Sequence, residues 1–141
     1  MFMIPEEPKG LDADESGTWL EVAALMTRLP AALDAQLQRD AGRSHSEYMI
    51  LAGLSMSTDR RRRMSELADF VAISLSRLSH TAKRLEKQGW LYRIPDPVNG
   101  RFTLAVLTDA GWEKVTAVAP THAAEVRRLV FDPLTKSSSG T

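Results

Sequence analysis

The chain has 141 residues, 43% of them hydrophobic and 26% charged, with no cysteine and a formal net charge of zero. That is the size and make-up of one globular domain able to bury a core, and it excludes a disulfide framework, a thiol redox switch and a thiolate metal site. No apolar run approaches the roughly 18 residues of a membrane span, and the opening MFMIPEEPKG lacks a basic-then-apolar secretory pattern, so a soluble cytoplasmic protein with no membrane partner is expected.

Zero net charge hides an uneven distribution. Residues 1–59 carry a balance of −6, residues 60–93 carry +6, and the remainder is neutral. A localised basic surface on an acidic body is the electrostatic footprint of phosphate contacts.

In chain order, residues 1–13 contain Pro5, Pro8 and Gly10 among acidic neighbours and read as a flexible lead-in. From Asp14 or Ser16, either of which can cap it, a helix is expected to about Ala41. Trp19, Val22, Met26, Leu29, Leu33 and Leu37 recur at three- and four-residue steps, and Gly42 ends the pattern. Pro30 should bend this helix without ending it, because the stripe resumes in phase at Leu33. So long a stripe suggests an oligomer interface; the alternative is a helix that simply spans the domain. Ser44 or Ser46 can cap a second helix that buries Tyr48, Ile50, Leu51 and Leu54 and ends near Ser57.

Four arginines follow, Arg60 to Arg63. On an extended strand they alternate sides and cannot all face phosphates, so the run reads either as partly DNA-facing or as a solvated basic linker or short edge strand. His45 reads as a surface or capping-region residue. His45, His80 and His122 show no metal-ligand spacing among themselves, so no metal or other cofactor is expected.

Ser65 can cap a helix containing Leu67, Ala68 and Val71, with a turn from Val71 to Ser74. Ser74 can cap the next helix, and Gly89 stops it. In this second helix Leu75, Leu78, Ala82 and Leu85 form an apolar stripe. Its other face carries Ser76, Arg77, Ser79, His80, Lys83, Arg84 and Lys87. Two helices joined by a short turn, the second polar and basic, form a helix-turn-helix, whose second helix enters a major groove. An ordinary amphipathic helix pair is the competing reading.

After Gly89 the period becomes alternating. Leu91 to Ile94 and Phe102 to Leu107 read as strands around a loop containing Asn99-Gly100, the dipeptide of a tight hairpin. A hairpin directly after a helix-turn-helix is a wing. Arg101 at its tip either reaches a minor groove or is a soluble loop residue. Thr108-Asp109 begins a further helix with Trp112, Val115 and Val118 on one stripe. Pro120 bends or breaks it, a stretch through Ala123, Val126, Val130 and Phe131 continues, Asp132-Pro133 closes it, and KSSSGT over 136–141 reads as a tail.

With Arg63-Met64-Ser65-Glu66-Leu67-Ala68, Ser74 to Ser79, Arg84-Leu85-Glu86-Lys87-Gln88-Gly89-Trp90 and Leu107-Thr108-Asp109-Ala110-Gly111 in this order and spacing, the chain resembles the MarR family of bacterial transcription regulators over about Trp19 to Leu134. The resemblance implies a mostly α fold with a small β-hairpin wing: one domain over 14–135, with a winged helix-turn-helix core at about 44–108 and dimerisation helices at about 14–41 and 109–131. It also implies a homodimer on a palindromic double-stranded operator, repressing transcription until a small aromatic or phenolic effector binds.

Carried over residue by residue, Ser76, Arg77, Ser79, His80 and Lys83 match the exposed recognition-helix positions, and Arg101 matches the wing-tip arginine. Arg77 can present two donors to guanine, while Lys83 and Arg84 suit phosphates. The sequence departs from the family at Asn99, where many members carry an acidic partner for the wing arginine, and in lacking a last helix after Phe131 to Thr135. That second departure motivates an alternative, a winged-helix adaptor or truncated regulator with impaired dimerisation and DNA binding. An enzyme is not expected, because no Ser-His-Asp set, metal cluster or phosphate-cradling glycine motif is present. Trp19, Met26, Tyr48 and Trp112 are candidates for an effector pocket by residue type alone, core packing being the other reading of each.

Overall fold

A computed structural model of the protein describes residues 10–41 and 44–134. Most of the expected lead-in, Gly42 and the expected tail over 136–141 lie outside the described residues. The elements run α1 (Ala13–Ala41), α2 (His45–Ser55), a 3-10 turn (Thr58–Arg60), β1 (Arg61–Arg63), α3 (Met64–Val71), α4 (Leu75–Lys87), β2 (Leu91–Pro95), β3 (Thr103–Leu107), α5 (Asp109–Val126) and a π-helical segment (Arg127–Phe131). The strands form one antiparallel sheet in the order β1-β3-β2. Arg63 lies opposite Leu104, and Leu91 opposite Leu107. Among the described residues no helix is long and apolar enough to cross a membrane.

Helix α1 is capped by Asp12, two residues before Asp14 and four before Ser16, the expected caps. Asp12 Oδ1 accepts from the Glu15 N–H at 2.8 Å, and Glu15 Oε1 accepts from the Asp12 N–H at 3.2 Å, a reciprocal pair that satisfies two helix-end donors. Pro30 sits inside the continuous helix, as expected. The apolar stripe, however, is buried only in its C-terminal half. Leu33 and Leu37 join the core, whereas Trp19 and Met26 are exposed at 50% and 62%. Neither of these two is core, and of the proposed pocket residues only Tyr48 and Trp112 pack on it.

Ser44 caps α2, its Oγ accepting from Glu47 N–H. Ser65 does not cap α3: β1 runs straight into that helix, Arg63 occupies the N-cap position and no side chain closes the end. At the other end Ala72 takes the left-handed conformation (φ 61°), and the Ile73 N–H returns to the Ala68 carbonyl at 3.1 Å. A left-handed residue closing a helix in this way makes the tight turn that aims α4 away from α3. Leu78, Ala82 and Leu85 of α4 are fully buried against Leu51, Leu54, Leu67 and Leu91. Leu75 departs from the stripe: in the first turn of α4 it lies beyond the core and is 52% exposed. Gly89 adopts φ +78° just past the helix, where the Trp90 N–H caps the Leu85 carbonyl.

Thr108 caps α5, accepting from Gly111 N–H, and its hydroxyl donates to the Gly89 carbonyl at 2.6 Å. The start of α5 is thereby tied to the end of α4. Pro120 does not break α5, and residues 132–134 remain helical where Asp132-Pro133 was expected to close the segment. Gly111 lies against the Trp90 carbonyl so closely that a β-carbon there would collide with backbone.

Sequence spacing did not foresee a polar cluster where α1, α2 and α5 meet. The His45 N–H donates to Asp34 Oδ1 at 2.7 Å, and His122 Nδ1 shares a hydrogen bond with Gln36 Oε1 at 3.0 Å. The His122 ring lies 4.4 Å from the Tyr48 ring and 6.2 Å from that of His45, whose Nδ1 is buried without a partner. His45, the first residue of α2 next to its cap Ser44, is thus the capping-region residue of the two expected readings, half-buried between helices and not on the open surface. Among the described residues no group of three or more His, Asp or Glu is placed to hold a metal.

Two predictions follow from this packing. Gly111→Ala should cost about 3 kcal/mol, because the obstacle is a backbone carbonyl that cannot rotate away; urea unfolding measures it. Lost hydration holds His45 below its ordinary value of 6.5, partly offset by Asp34; lost hydration and then repulsion from His45 do the same to His122. The unfolded chain therefore binds protons first as pH falls. Stability from the neutral pair is complete above about 6.5 and is lost as pH drops through 6.5 toward the lower folded values. The urea midpoint should fall between about pH 7.5 and about pH 5.5, and less steeply in a His45→Gln/His122→Gln variant.

Candidate nucleic-acid interface

Ser74 Oγ accepts from the Arg77 N–H at 3.1 Å, closing the N-terminus of α4. With Leu78, Thr81, Ala82 and Leu85 turned inward, the helical period leaves Ser76, Arg77, His80, Lys83, Arg84 and Lys87 exposed, with Ser79 half-buried at the margin. These side chains do not form one set. Ser76, Ser79, His80 and Lys83 line an open concavity of about 600 Å³ together with Arg93. Ser79 and Arg93 also belong to a neighbouring cavity of about 250 Å³ between α3, α4 and the hairpin, where Arg101 joins them. Six of the seven expected residues are thus exposed on α4 or on the wing, and one continuous surface holds five of them.

Arg77 and Arg84 stand apart. They lie seven residues apart, about two turns, and so share one flank of α4, on which Arg84 Nη2 pairs with Glu47 Oε1 of α2 at 3.3 Å. Arg84 consequently has a structural role in addition to any contact with phosphate. Arg77 stays unpaired.

Arg93 is the residue of this surface that the sequence reading missed. Its Nε donates to Glu86 Oε1 at 2.6 Å and its Nη1 donates to Ser79 Oγ at 3.0 Å, so one guanidinium on β2 fixes α4 at two points about two turns apart. The signal was available in the strand period. Arg93 falls on the same face as buried Leu91, and an arginine on an inward strand face requires a partner.

The arginine run resolves in favour of the edge strand. Arg60 Nη1 pairs with Asp109 Oδ1 at 3.2 Å, and its guanidinium carbon lies 4.1 Å from the Trp112 ring centroid. Arg61 lies 3.7 Å from Asp59, Arg62 lies over Phe70, and Arg63 pairs with Asp96 and stacks on Phe102. Among the described residues, the cations of the basic region and wing that make no ion pair are Arg62, half-buried over the Phe70 ring, and Arg77, Lys83, Lys87 and Arg101. Only Arg62, Arg77, Lys83 and Lys87 of these fall within residues 60–93, fewer than the +6 balance suggested, and Arg77, Lys83, Lys87 and Arg101 are exposed.

The wing loop spans residues 96–102. Its ends are joined by the Asp96 N–H to Phe102 carbonyl bond at 2.8 Å, and its tip is closed by the Phe102 N–H to Asn99 carbonyl bond at 3.0 Å. Asn99 Oδ1 also accepts from the Arg101 N–H at 3.2 Å. Asn99 thus holds the tip, as the sequence suggested, but by a different turn: Gly100 does not take a positive φ, so this is not the two-residue Asn-Gly hairpin.

The model of the MarR family matches residues 44–103, from the cap of α2 to the start of β3. Among solved structures, the chain is similar to Sco3205, a MarR family transcriptional regulator from Streptomyces coelicolor crystallised in complex with DNA. The two are 44% identical with a TM-score of 0.78, over 96% of this chain and 87% of that one. AbsC, a MarR family transcriptional regulator from the same organism, is 36% identical with a TM-score of 0.76, over 89% and 84% of the two chains. The uncharacterized HTH-type transcriptional regulator YdcH of Bacillus subtilis (strain 168) is 34% identical over 74 residues, 52% of this chain and 46% of that protein. The chain spans about half the length of the curated relatives it matches. These relatives are regulators rather than enzymes, and their identity and coverage settle what the motifs suggested: the chain belongs to the MarR family of transcriptional regulators.

Proposed function

We propose that the protein is a sequence-specific double-stranded DNA-binding regulator that acts in the cytoplasm as a homodimer. In this reading each α4 enters the major groove of one half of a palindromic operator, and Arg101 reaches the flanking minor groove. The observation that carries it is the continuous exposed surface from Ser76, Ser79, His80 and Lys83 across Arg93 to Arg101. The DNA complex of the 44% identical Sco3205 supports it. Ser76, Ser79 and His80 are assigned to base edges or nearby phosphates, and Lys83 and Arg84 to phosphates. Arg77, in the first turn of α4, is assigned to a base, because the N-terminal residues of a recognition helix approach base edges. Repression, and its relief by a small aromatic or phenolic effector, are supported by family membership alone.

The dimer is supported by apolar surface that one subunit leaves uncovered. Trp19, Leu20 and Met26 on α1, with Leu134, are exposed. Grooves of about 360 and 350 Å³ run between α1 and residues 128–134, sharing Leu25, Arg28 and Pro133.

The deciding experiment is equilibrium binding to the duplex upstream of the protein's own gene and to a shuffled duplex, across a salt series, with mass determined in the same buffer. The expected result is a dimer with a salt-sensitive preference for the native duplex. A monomer without preference would sink the reading. In the same assay Arg77→Ala should cost roughly 1 to 3 kcal/mol on the specific duplex and relax preference at one base pair. Equal losses on both duplexes would make Arg77 a phosphate contact.

A further inference from the structure

Arg63 closes β1 and lies outside the β2–β3 hairpin, yet its guanidinium grips both limbs of the wing loop. On one limb its Nε donates to Asp96 Oδ2 at 3.1 Å. On the other, its guanidinium carbon lies 4.2 Å from the centroid of the Phe102 ring, next in sequence to Arg101. Asp96 extends the grip, because its second oxygen accepts the Val98 N–H at 2.9 Å. That backbone bond, more than the guanidinium, holds the Asp96 carboxyl below the usual carboxylate range. The Asp96 side chain is 8% exposed and that of Arg63 36%, so the contact is largely shielded from water. β1 itself is registered on β3, with Arg63 opposite Leu104. The grip is therefore anchored to the sheet and does not move with the loop.

We propose that Arg63 is a positioning residue for minor-groove binding: it fixes the 96–102 loop so that Arg101 is presented to the groove, without itself touching nucleic acid. This rests on the assignment of Arg101 to the minor groove. Among the described residues the tip of this seven-residue loop is held only by Asn99, and an unbraced tip would have to be ordered at each binding event. Anchoring both ends of the loop in advance removes that cost. Arg63 is engaged from two sides by Asp96 and Phe102, whereas Arg101 makes no ion pair among the described residues and is free to pair with phosphate or a narrow groove.

The test is a double-mutant cycle on a duplex selected by the wild-type protein from a random library. Arg63→Met, Arg101→Ala and the double variant are compared by dissociation constant and by hydroxyl-radical protection of the minor groove. Arg63→Met should weaken binding about ten-fold in the wild-type background and by less than about two-fold in the Arg101→Ala background. Protection should be lost at the same flanking positions as in Arg101→Ala, while base preference under α4 stays unchanged.

Asp96→Asn breaks the same grip from the other side and keeps the Val98 acceptor; it should show the same non-additivity, and it carries the cycle if Arg63→Met fails to fold. Additive losses would overturn the proposal by making Arg63 an independent contact, with the assignment of Arg101 intact. An Arg101→Ala variant with unchanged affinity and protection would overturn both. Failure to select any duplex would remove DNA binding itself and the Arg63 role with it.

Discussion

The burial of Leu78, Ala82 and Leu85 is the constraint on which the recognition surface depends. Each is fully buried, and each fully buried leucine contributes about 2 to 3 kcal/mol through apolar area removed from water. Together they fix the rotation of α4 about its own axis, because turning the helix would expose the leucines and bury Lys83 or His80. The chemistry offered to a partner is thus set by the side of the helix that no partner sees. The rest of the fold holds this helix at three places: the left-handed Ala72 sets its angle to α3, the Thr108 hydroxyl ties its end to α5, and Arg93 locks two of its turns to β2.

Charge in this protein is divided between structure and surface. Arg60, Arg63, Arg84 and Arg93 each meet a carboxylate of another element, and Arg60 and Arg63 also lie over aromatic rings. A planar guanidinium can bond in its plane and stack on its face at once, which a lysine ammonium cannot do. That difference accounts for arginine at the structural positions, while the exposed unpaired cations Lys83, Lys87, Arg77 and Arg101 mix both types. The +6 balance of residues 60–93 located the basic lobe correctly and overstated its free charge, because formal counting does not know which cations are already paired.

The division also explains what was legible in advance. Local rules read well: the caps at Ser44, Ser74 and Thr108, the stop at Gly89, the hairpin and the outward face of α4 all depend on residues within a turn or two of each other. They failed where an element's context intervened. Ser65 is a good cap by type, but β1 runs directly into α3 and leaves it no cap position. The stripe of α1 has the right period, yet periodicity does not say how far the core extends, and Trp19 and Met26 lie beyond it. Pairings across long separations were out of reach. Arg63 meets Asp96 33 residues away, and His122 meets Gln36 86 residues away. No spacing rule encodes either contact. Arg93 lies between these cases, since its inward strand position was readable but its partners on α4 were not.

The wing shows why such distant contacts are needed. A two-stranded hairpin is marginal in water, and this one carries its charged tip on a loop too long for a tight two-residue turn. The fold adds the third strand β1 along β3, and the arginines of two different strands then brace the hairpin at both ends: Arg93 near its base, against α4, and Arg63 at the loop, against Asp96 and Phe102. Because β1 leads directly into α3, the strand that braces the wing is also the start of the helix-turn-helix. Wing and recognition helix are thereby positioned from one segment of chain, Arg61 to Met64, in which the arginines act through the sheet.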